Sequence, residues 1–226
     1  MTHPLDNPVY TSLTGPHAAL ARRSGYAVRY PGEITPFCGL PADPDPEDWA
    51  NMAGLFTAGE AALFPALGGP PPPGWEVLGG GDGVQLVADD VDARPDHEAV
   101  PLGPDDALEM VALTDRARPG PFLLRTVELG GYLGIRRDGQ LVAMAGERLR
   151  PPGFTEISAV CTDPAWRGYG FATRLTLAVA AAIQARGETP FLHAAATNTT
   201  AIRLYKSLGF AHRRDILFQQ IRKSVP

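Results

Sequence analysis

Between Thr155 and Phe210 the chain passes from a strand-like run through a turn with two glycines into a long helix-like run, then a second strand and a second helix. That order constrains the fold more than any other feature. Glu156-Ile157-Ser158-Ala159-Val160-Cys161-Thr162 has strand composition, and Asp163-Pro164 ends it. Leu175, Val179, Ala182 and Ile183 recur at helical spacing, and Gly187 supplies a stop. A strand follows at Phe191 to Ala195, a helix near Asn198, and a last strand near Leu217 to Ile221. Upstream, Gly131 to Gln140 continues into Leu141 to Glu147. Asp138-Gly139 predicts a hairpin there, because both turn positions favour φ > 0. Pro104 to Arg116 predicts a short helix with Leu108, Val111 and Ala112 as its apolar stripe. Hairpins followed by strand–helix–strand predict a mixed α/β sheet.

The first half is punctuated differently. Pro41, Pro44 and Pro46 interrupt one stretch, and Gly68-Gly69-Pro70-Pro71-Pro72-Pro73-Gly74 excludes regular structure in another. Between them Asp45 to Phe56 predicts a helix. Asp45 stands as its cap, Pro46 fits the first position, and Trp49, Met52, Ala53 and Phe56 share a face. Trp75 to Leu78 and Gly83 to Val87 flank Gly79-Gly80-Gly81-Asp82, which predicts a second hairpin. Residues 88–98, acidic and polar with Pro95, read as a linker between an N-terminal α/β region, 1–98, and a second domain, 99–226.

Composition narrows the function classes. Of 226 residues, 44% are hydrophobic and 20% charged, enough apolar material for a core. The longest apolar stretch free of Gly and Pro, Leu175 to Ala185, is well short of the roughly 20 residues of a membrane span. No basic, apolar leader opens the chain, so a cytoplasmic protein without membrane contact is expected. Neither Cys38 nor Cys161 has a CxxC partner, so reduced thiols are expected rather than a metal site or redox pair. The net charge of −5 hides an asymmetry: the first hundred residues carry four basic and fourteen acidic side chains, the rest sixteen and eleven. An acidic first half argues against nucleic acid as a partner. A mildly basic second half suits a small anionic ligand, although scattered surface charge gives the same totals.

The turn between strand and helix carries the chemistry. The first amides of a helix lack internal partners and point outward, and the helix dipole adds about half a positive charge there. Glycine lets a phosphate approach the backbone. Arg167-Gly168-Tyr169-Gly170-Phe171-Ala172 thus has the makings of a pyrophosphate cradle, with Arg167 and Arg174 adding charge. No Lys-Ser or Lys-Thr follows the glycines, which disfavours a Walker loop, and a third glycine for a dinucleotide fingerprint is missing. A tight structural turn would read the same way. The second element, Asn198 to Phe210, predicts a helix capped by Asn198, with Ala201, Leu204, Tyr205 and Leu208 on one face and Gly209 as terminator.

Taken in order, these elements resemble the GNAT superfamily of acetyl-CoA-dependent N-acetyltransferases. The family hallmark, Arg/Gln-x-x-Gly-x-Gly/Ala, is matched by Arg167, Gly170 and Ala172. The later Asn, followed seven residues on by Tyr and then Leu-Gly-Phe, is matched by Asn198, Tyr205 and Leu208-Gly209-Phe210. The resemblance covers about residues 100–222. It implies a GNAT fold, a mixed and mostly antiparallel sheet flanked by helices, preceded by a smaller α/β N-terminal region. That region is either a degenerate second GNAT-like lobe, the reading we favour, or an unrelated lid.

The resemblance also implies a site. The hallmark turn, Arg167, Gly168, Tyr169, Gly170, Phe171 and Ala172, would bind the CoA pyrophosphate through main-chain amides. The backbone of Val160, Cys161 and Thr162 would bind the pantetheine arm, and one strand amide would polarise the acetyl carbonyl. Asn198 would contact the cofactor arm. Tyr205 would protonate the leaving thiolate, a role its ordinary pKa near 10 permits against a thiol near 8.5. The acceptor would be a primary amine, small-molecule or protein, attacking the thioester directly within a ternary complex. Cys161 reads as a strand residue rather than a nucleophile, pointing away from Ser158, Val160 and Thr162 on strand alternation. For the general base the order is Glu156, then Glu147, then His193, with Glu156 expected on the same strand face as Val160. The acidity of the first half hints at a basic acceptor. The alternative to catalysis is a catalytically weak acyl-CoA-binding sensor or scaffold.

Overall fold

The computed structural model describes residues 3–57, 59–65 and 69–224. In chain order the regular elements are α1 (Pro8–Leu13), β1 (Arg22–Ser24), β2 (Ala27–Arg29), β3 (Cys38–Gly39), α2 (Pro46–Gly54), β4 (Ala61–Pro65), β5 (Trp75–Ala88) and β6 (Val100–Leu102). They continue with α3 (Ala107–Ala117), β7 (Tyr132–Arg137), β8 (Gln140–Glu147), β9 (Phe154–Thr162), α4 (Phe171–Gln184), β10 (Thr189–Ala195), α5 (Thr199–Ser207) and β11 (Phe210–Lys223). The signals at their ends act as expected. The Asp45 side chain accepts from the Asp48 amide at 2.8 Å and caps α2. Asp138 and Gly139 turn β7 into β8 with φ of 50° and 79°. Asn198 caps α5 by accepting from the Ala201 amide at 3.1 Å.

Eight strands form one sheet in the order β4-β11-β5-β10-β9-β8-β7-β6, and only β9 and β10 run parallel. α4 lays Phe171, Leu175, Val179, Ala180 and Ile183 on one face, against Val142, Ala145, Ile157 and Leu192, and Tyr205 of α5 joins that cluster. On the other face α3 packs Ala107, Met110 and Leu113 against Leu141, Met144 and Cys161. Beside it the N-terminal segment buries Leu5, Val9, Leu13, Tyr30 and Phe37 against Leu149 and Phe191.

Several expectations need correction. Trp75 to Ala88 is one strand, not a hairpin. Gly79, Gly80 and Gly81 pair with Gln220, Gln219 and Phe218 of β11. A Cβ on Gly80 would fall on the Phe218 carbonyl, so close approach between strands, and not a turn, is what requires glycine there. The stripe of α3 is offset by one: Ala107, Met110, Leu113 and Thr114 are buried, whereas Leu108 is 75% exposed. On α4, Ala182 is exposed while Thr176 and Ala180 are buried. The last strand begins at Phe210, seven residues before its expected start.

The sheet also crosses the expected boundary at 98/99, because β5 lies between β10 and β11 near its centre. Before β4 the chain forms a three-stranded sheet, β1-β2-β3, with two short helices. Residues 69–74 carry no regular structure, and Gly68 lies outside the described residues. Both cysteines are buried free thiols. Among the described residues no helix is long and apolar enough to cross a membrane, and no group of three or more His, Cys, Asp or Glu could hold a metal.

Candidate active site

The sheet opens where its one parallel pair fails. β9 and β10 pair only from Phe154–Thr189 to Glu156–Phe191, after which β9 continues along β8 and β10 along β5. The divergence coincides with a bulge. Between the Gly146–Ser158 and Met144–Cys161 pairs, two residues of β9 oppose one of β8, and Ala159 takes φ of 53°. A bulge bends its strand and adds a residue to the alternation. Ile157 and Val160 consequently pack on the same cluster as α4, three residues apart, while Cys161 and Ala159 pack on the α3 side. Glu156 and Val160, expected on one face, fall on opposite faces for this reason. Past Glu156, the edge of β9 that faced β10 has its main-chain groups free of a ladder.

Below the open strand lies the turn into α4. Gly168 and Gly170 adopt φ of 88° and 75°, and no atom lies within 4 Å of a Cβ built on either. Their requirement is conformational, since the left-handed region costs other residues about 1–2 kcal/mol. Among the described residues no side chain caps α4, which leaves the amides of its first turn without internal partners. The turn opens on a cleft of about 500 Å3, lined by Val160, Cys161, Thr162, Arg167, Gly168, Gly170, Phe171, Ala172, Asn198 and Tyr205. Thr162 Oγ1 is buried there without a hydrogen-bond partner among the described residues. Tyr169 is exposed and stacks on Phe171 at 5.9 Å.

Arg174 behaves differently from expectation. Its guanidinium is held by Asp96 at 2.6 and 2.8 Å and by Glu98 at 2.6 Å, both from the acidic linker. Hydrogen bonding from Arg174 holds the Asp96 carboxyl down at about 2. The side chain of Arg167 makes no ion pair among the described residues and remains the free cation of the turn.

A second cavity, of about 400 Å3, adjoins the cleft on the β10 side. The two share Arg118, Pro119, Val160, Asn198, Ala201 and Tyr205. Phe37 and Leu63 from the first half, Arg148, Ile157, Ser158, His193 and Phe218 also line the second cavity. Tyr205, on α5, therefore stands where the spaces meet. Burial pushes its phenol up to about 12. Burial also pushes the Cys161 thiol, in the adjacent wall, up to about 12.

Under that cavity runs a buried polar chain. Arg148 grips Glu156 with two bonds, Nε to Oε2 at 2.8 Å and Nη2 to Oε1 at 2.6 Å. His193 Nδ1 lies 2.7 Å from Glu156 Oε1, and its Nε2 lies 3.0 Å from Gln85 Nε2. Gln85 Oε1 accepts from Arg213 Nη1 at 2.8 Å, and its amide nitrogen donates to the Leu5 carbonyl at 3.0 Å. The amide nitrogen therefore faces His193, so Nε2 is the acceptor and Nδ1–H donates to Glu156. Burial alone would raise the Glu156 carboxyl, but Arg148 and His193 overcome it and hold it down at about 2. Glu147, the second expected base, is tied to Arg186 at 2.9 Å. Neither Glu156 nor Glu147 lines either space, and the His193 Nε2 lone pair faces Gln85.

A putative acetyltransferase of the GNAT family from Novosphingobium aromaticivorans superposes with a TM-score of 0.90, is 40% identical, and matches 99% of this chain and 100% of its own. The chain belongs to the GNAT family of acetyltransferases. An FR47-like family model matches residues 132–219 of this GNAT chain, from β7 into β11. Among curated relatives, the mycothiol acetyltransferase of Nocardiopsis dassonvillei is 32% identical over 151 residues, which are 65% of this chain and 45% of the relative. The N-alpha-acetyltransferase RimI of Mycobacterium tuberculosis is 38% identical over 82 residues, 35% of this chain and 51% of the relative. The GNAT chain thus spans about half or less of the length of these curated relatives.

The residues expected from the sequence fall into two groups. Val160, Cys161, Thr162, Arg167, Gly168, Gly170, Phe171, Ala172, Asn198 and Tyr205 gather around one cleft, whereas Tyr169 is exposed and does not line it. Glu156 lies outside the lining of both spaces, engaged by Arg148 and His193. Sequence reasoning did not single out Arg118, Arg148, Gln85, Arg213 or Phe37. They meet only through tertiary contacts such as Arg213–Gln85, 128 positions apart, for which the sequence holds no spacing signal.

Proposed function

We propose that this chain transfers an acetyl group from acetyl-CoA to a primary amine by direct attack. The observation that carries the proposal is the junction of an uncapped helix, an unladdered strand and a buried phenol in one cleft. The α4 amides and Arg167 fit a pyrophosphate. The free edge of β9 at Val160 to Thr162 fits an amide-bearing arm and offers a donor to a developing oxyanion. Asn198 spends its Oδ1 on capping α5 and keeps its amide nitrogen for a ligand. Acetyl-CoA supplies the activated acyl group.

Tyr205 is proposed to hand its proton to the leaving sulfur. A phenol near 12 is a poor acid for a thiolate in water, near 8.5. A thiolate released inside the cleft is desolvated as the phenol is, and burial raises the proton affinity of both, which narrows the gap between them. Glu156 is proposed as a positioning residue that orients His193 and Arg148. The amine would lose its proton through water, since the three candidate bases are occupied. That same occupancy favours one second reading, an acyl-CoA sensor of weak activity.

The relatives are named acetyltransferases, which supports turnover. Calorimetric titration with acetyl-CoA, followed by an amine panel on Tyr205→Phe, separates the readings. We expect micromolar binding unchanged in the variant and a kcat lowered about 100-fold or more. Binding without turnover in the parent protein would leave the sensor. Absence of binding would overturn both.

A further inference from the structure

We propose that the acceptor is an amine carrying a carboxylate and an apolar body, the chemistry of an apolar α-amino acid, and that Arg118 recognises the carboxylate. This rests on the acetyl-transfer reading and names the substrate class for the same site.

Three observations converge on it. The cavity beyond Tyr205 joins an apolar wall of Phe37, Leu63, Ile157 and Phe218 to a polar one with Arg118, Arg148 and His193, and no Asp or Glu lines it among the described residues. Its two arginines are not equivalent. Arg148 is neutralised by Glu156, whereas the Arg118 side chain makes no ion pair or hydrogen bond among the described residues. Arg118 also closes α3 in the left-handed conformation, φ 54° and ψ 55°, where glycine or asparagine is the usual residue. Pro119-Gly120-Pro121 follows directly and stiffens the segment. Arg118 is exposed at the rim that the two spaces share, and a left-handed non-glycine residue at such a rim is the kind of outlier found at binding sites.

The chemistry follows from charge. A second ammonium on the acceptor would be desolvated here without a carboxylate partner, which is costly. A carboxylate would find a guanidinium suited to two parallel bonds. The same positive charge favours the neutral form of a nearby amine, the form that attacks, and this matters where no free base faces the cavity. The acidity of the first half, which hints at a basic acceptor, does not reach this wall.

The test uses three product analogues on the full chain, with and without saturating CoA: N-acetylphenylalanine, N-acetylphenethylamine and N-acetylputrescine. They present a carboxylate, no second charge, and an ammonium. Calorimetry is expected to rank the carboxylate at least tenfold tighter than the neutral analogue, with the ammonium weakest. Arg118→Gln is expected to bring the first ratio below threefold while changing CoA affinity less than that. Equal binding of the first two, preference for N-acetylputrescine, or no binding of any analogue overturns the proposal. So does a variant that loses CoA affinity and keeps the ratio, because Arg118 would then serve the cofactor. Failure of CoA to bind strikes the acetyl-transfer reading instead. The cofactor-free titrations still decide whether the cavity selects a carboxylate.

Discussion

The two cavities that meet at Tyr205 are built from different materials. The cleft under β9 is made largely of main chain: free strand edge, two left-handed glycines and the first turn of α4. The cavity beside it is made of side chains drawn from Phe37, Leu63, Arg118, Arg148, His193 and Phe218. Main-chain donors need only a local conformation, which a short motif can specify. Side-chain walls need the whole tertiary structure to assemble them. A short motif can therefore specify the first, whereas the second depends on the whole fold.

The side-chain wall is where a single change should do most damage. Glu156→Ala leaves Arg148 and His193 buried without their shared partner, and breaking a buried pair in this way costs about 3–5 kcal/mol. Denaturant unfolding should report that loss. Loss of less than about 1 kcal/mol would mean that water enters and solvates Arg148, and the contrast between the two cavities would weaken.

Acid should reach the same place by titration. Glu156 has its folded-state pKa held below the ordinary value of 4.5, so its contribution is full above about 4.5 and is lost as pH falls toward about 2. His17 acts earlier. Burial lowers its folded pKa from 6.5 to about 4, so the unfolded chain takes the proton first and stability falls from about pH 6.5 downward. Thermal melts from pH 7 to pH 3 should fall in both windows, and His17→Gln should flatten only the upper one.

The main-chain cleft should break through conformation. Gly170→Val places a β-branched residue at φ 75° with space around it, so strain alone acts. We expect about 1–2 kcal/mol less stability, and acetyl-CoA affinity at least tenfold weaker because the α4 amides lose their aim. Unchanged affinity with lower stability would show that these amides do not hold the phosphates.

How far the sequence reached divides along the same line. Gly168 and Gly170 announced the cleft because φ > 0 selects glycine locally, and Asn198 announced α5 because a cap is a local hydrogen bond. Gly79 to Gly81 announced the wrong thing. The same residue serves turns and close strand approach, and only the presence of β11 alongside decides between them. The bulge at Ala159 had no signal at all, since alanine is not a residue chosen for φ of 53°. That one extra residue moved Glu156 off the face of Val160. The family resemblance located Tyr205, but which side chains would face it depended on contacts between segments up to 128 positions apart.

The smallest expected effect sharpens the comparison most. Arg167 and Arg174 look alike on the sequence, both basic and both at the start of α4. Arg174 is already spent on Asp96 and Glu98, with Arg137 reaching Glu98 from β7 at 3.0 Å. It fastens the linker across the helix rather than facing the cleft. Arg174→Gln should therefore lower stability by about 1 kcal/mol, the scale of a partly exposed ion pair, and change acetyl-CoA affinity less than twofold. Arg167→Gln should leave stability alone and weaken acetyl-CoA roughly fivefold, about 1 kcal/mol. The reverse result would mean that Arg174 exchanges Asp96 for phosphate when the cofactor binds. The linker would then be released as the cleft fills, and the cleft would owe its affinity to side chains after all.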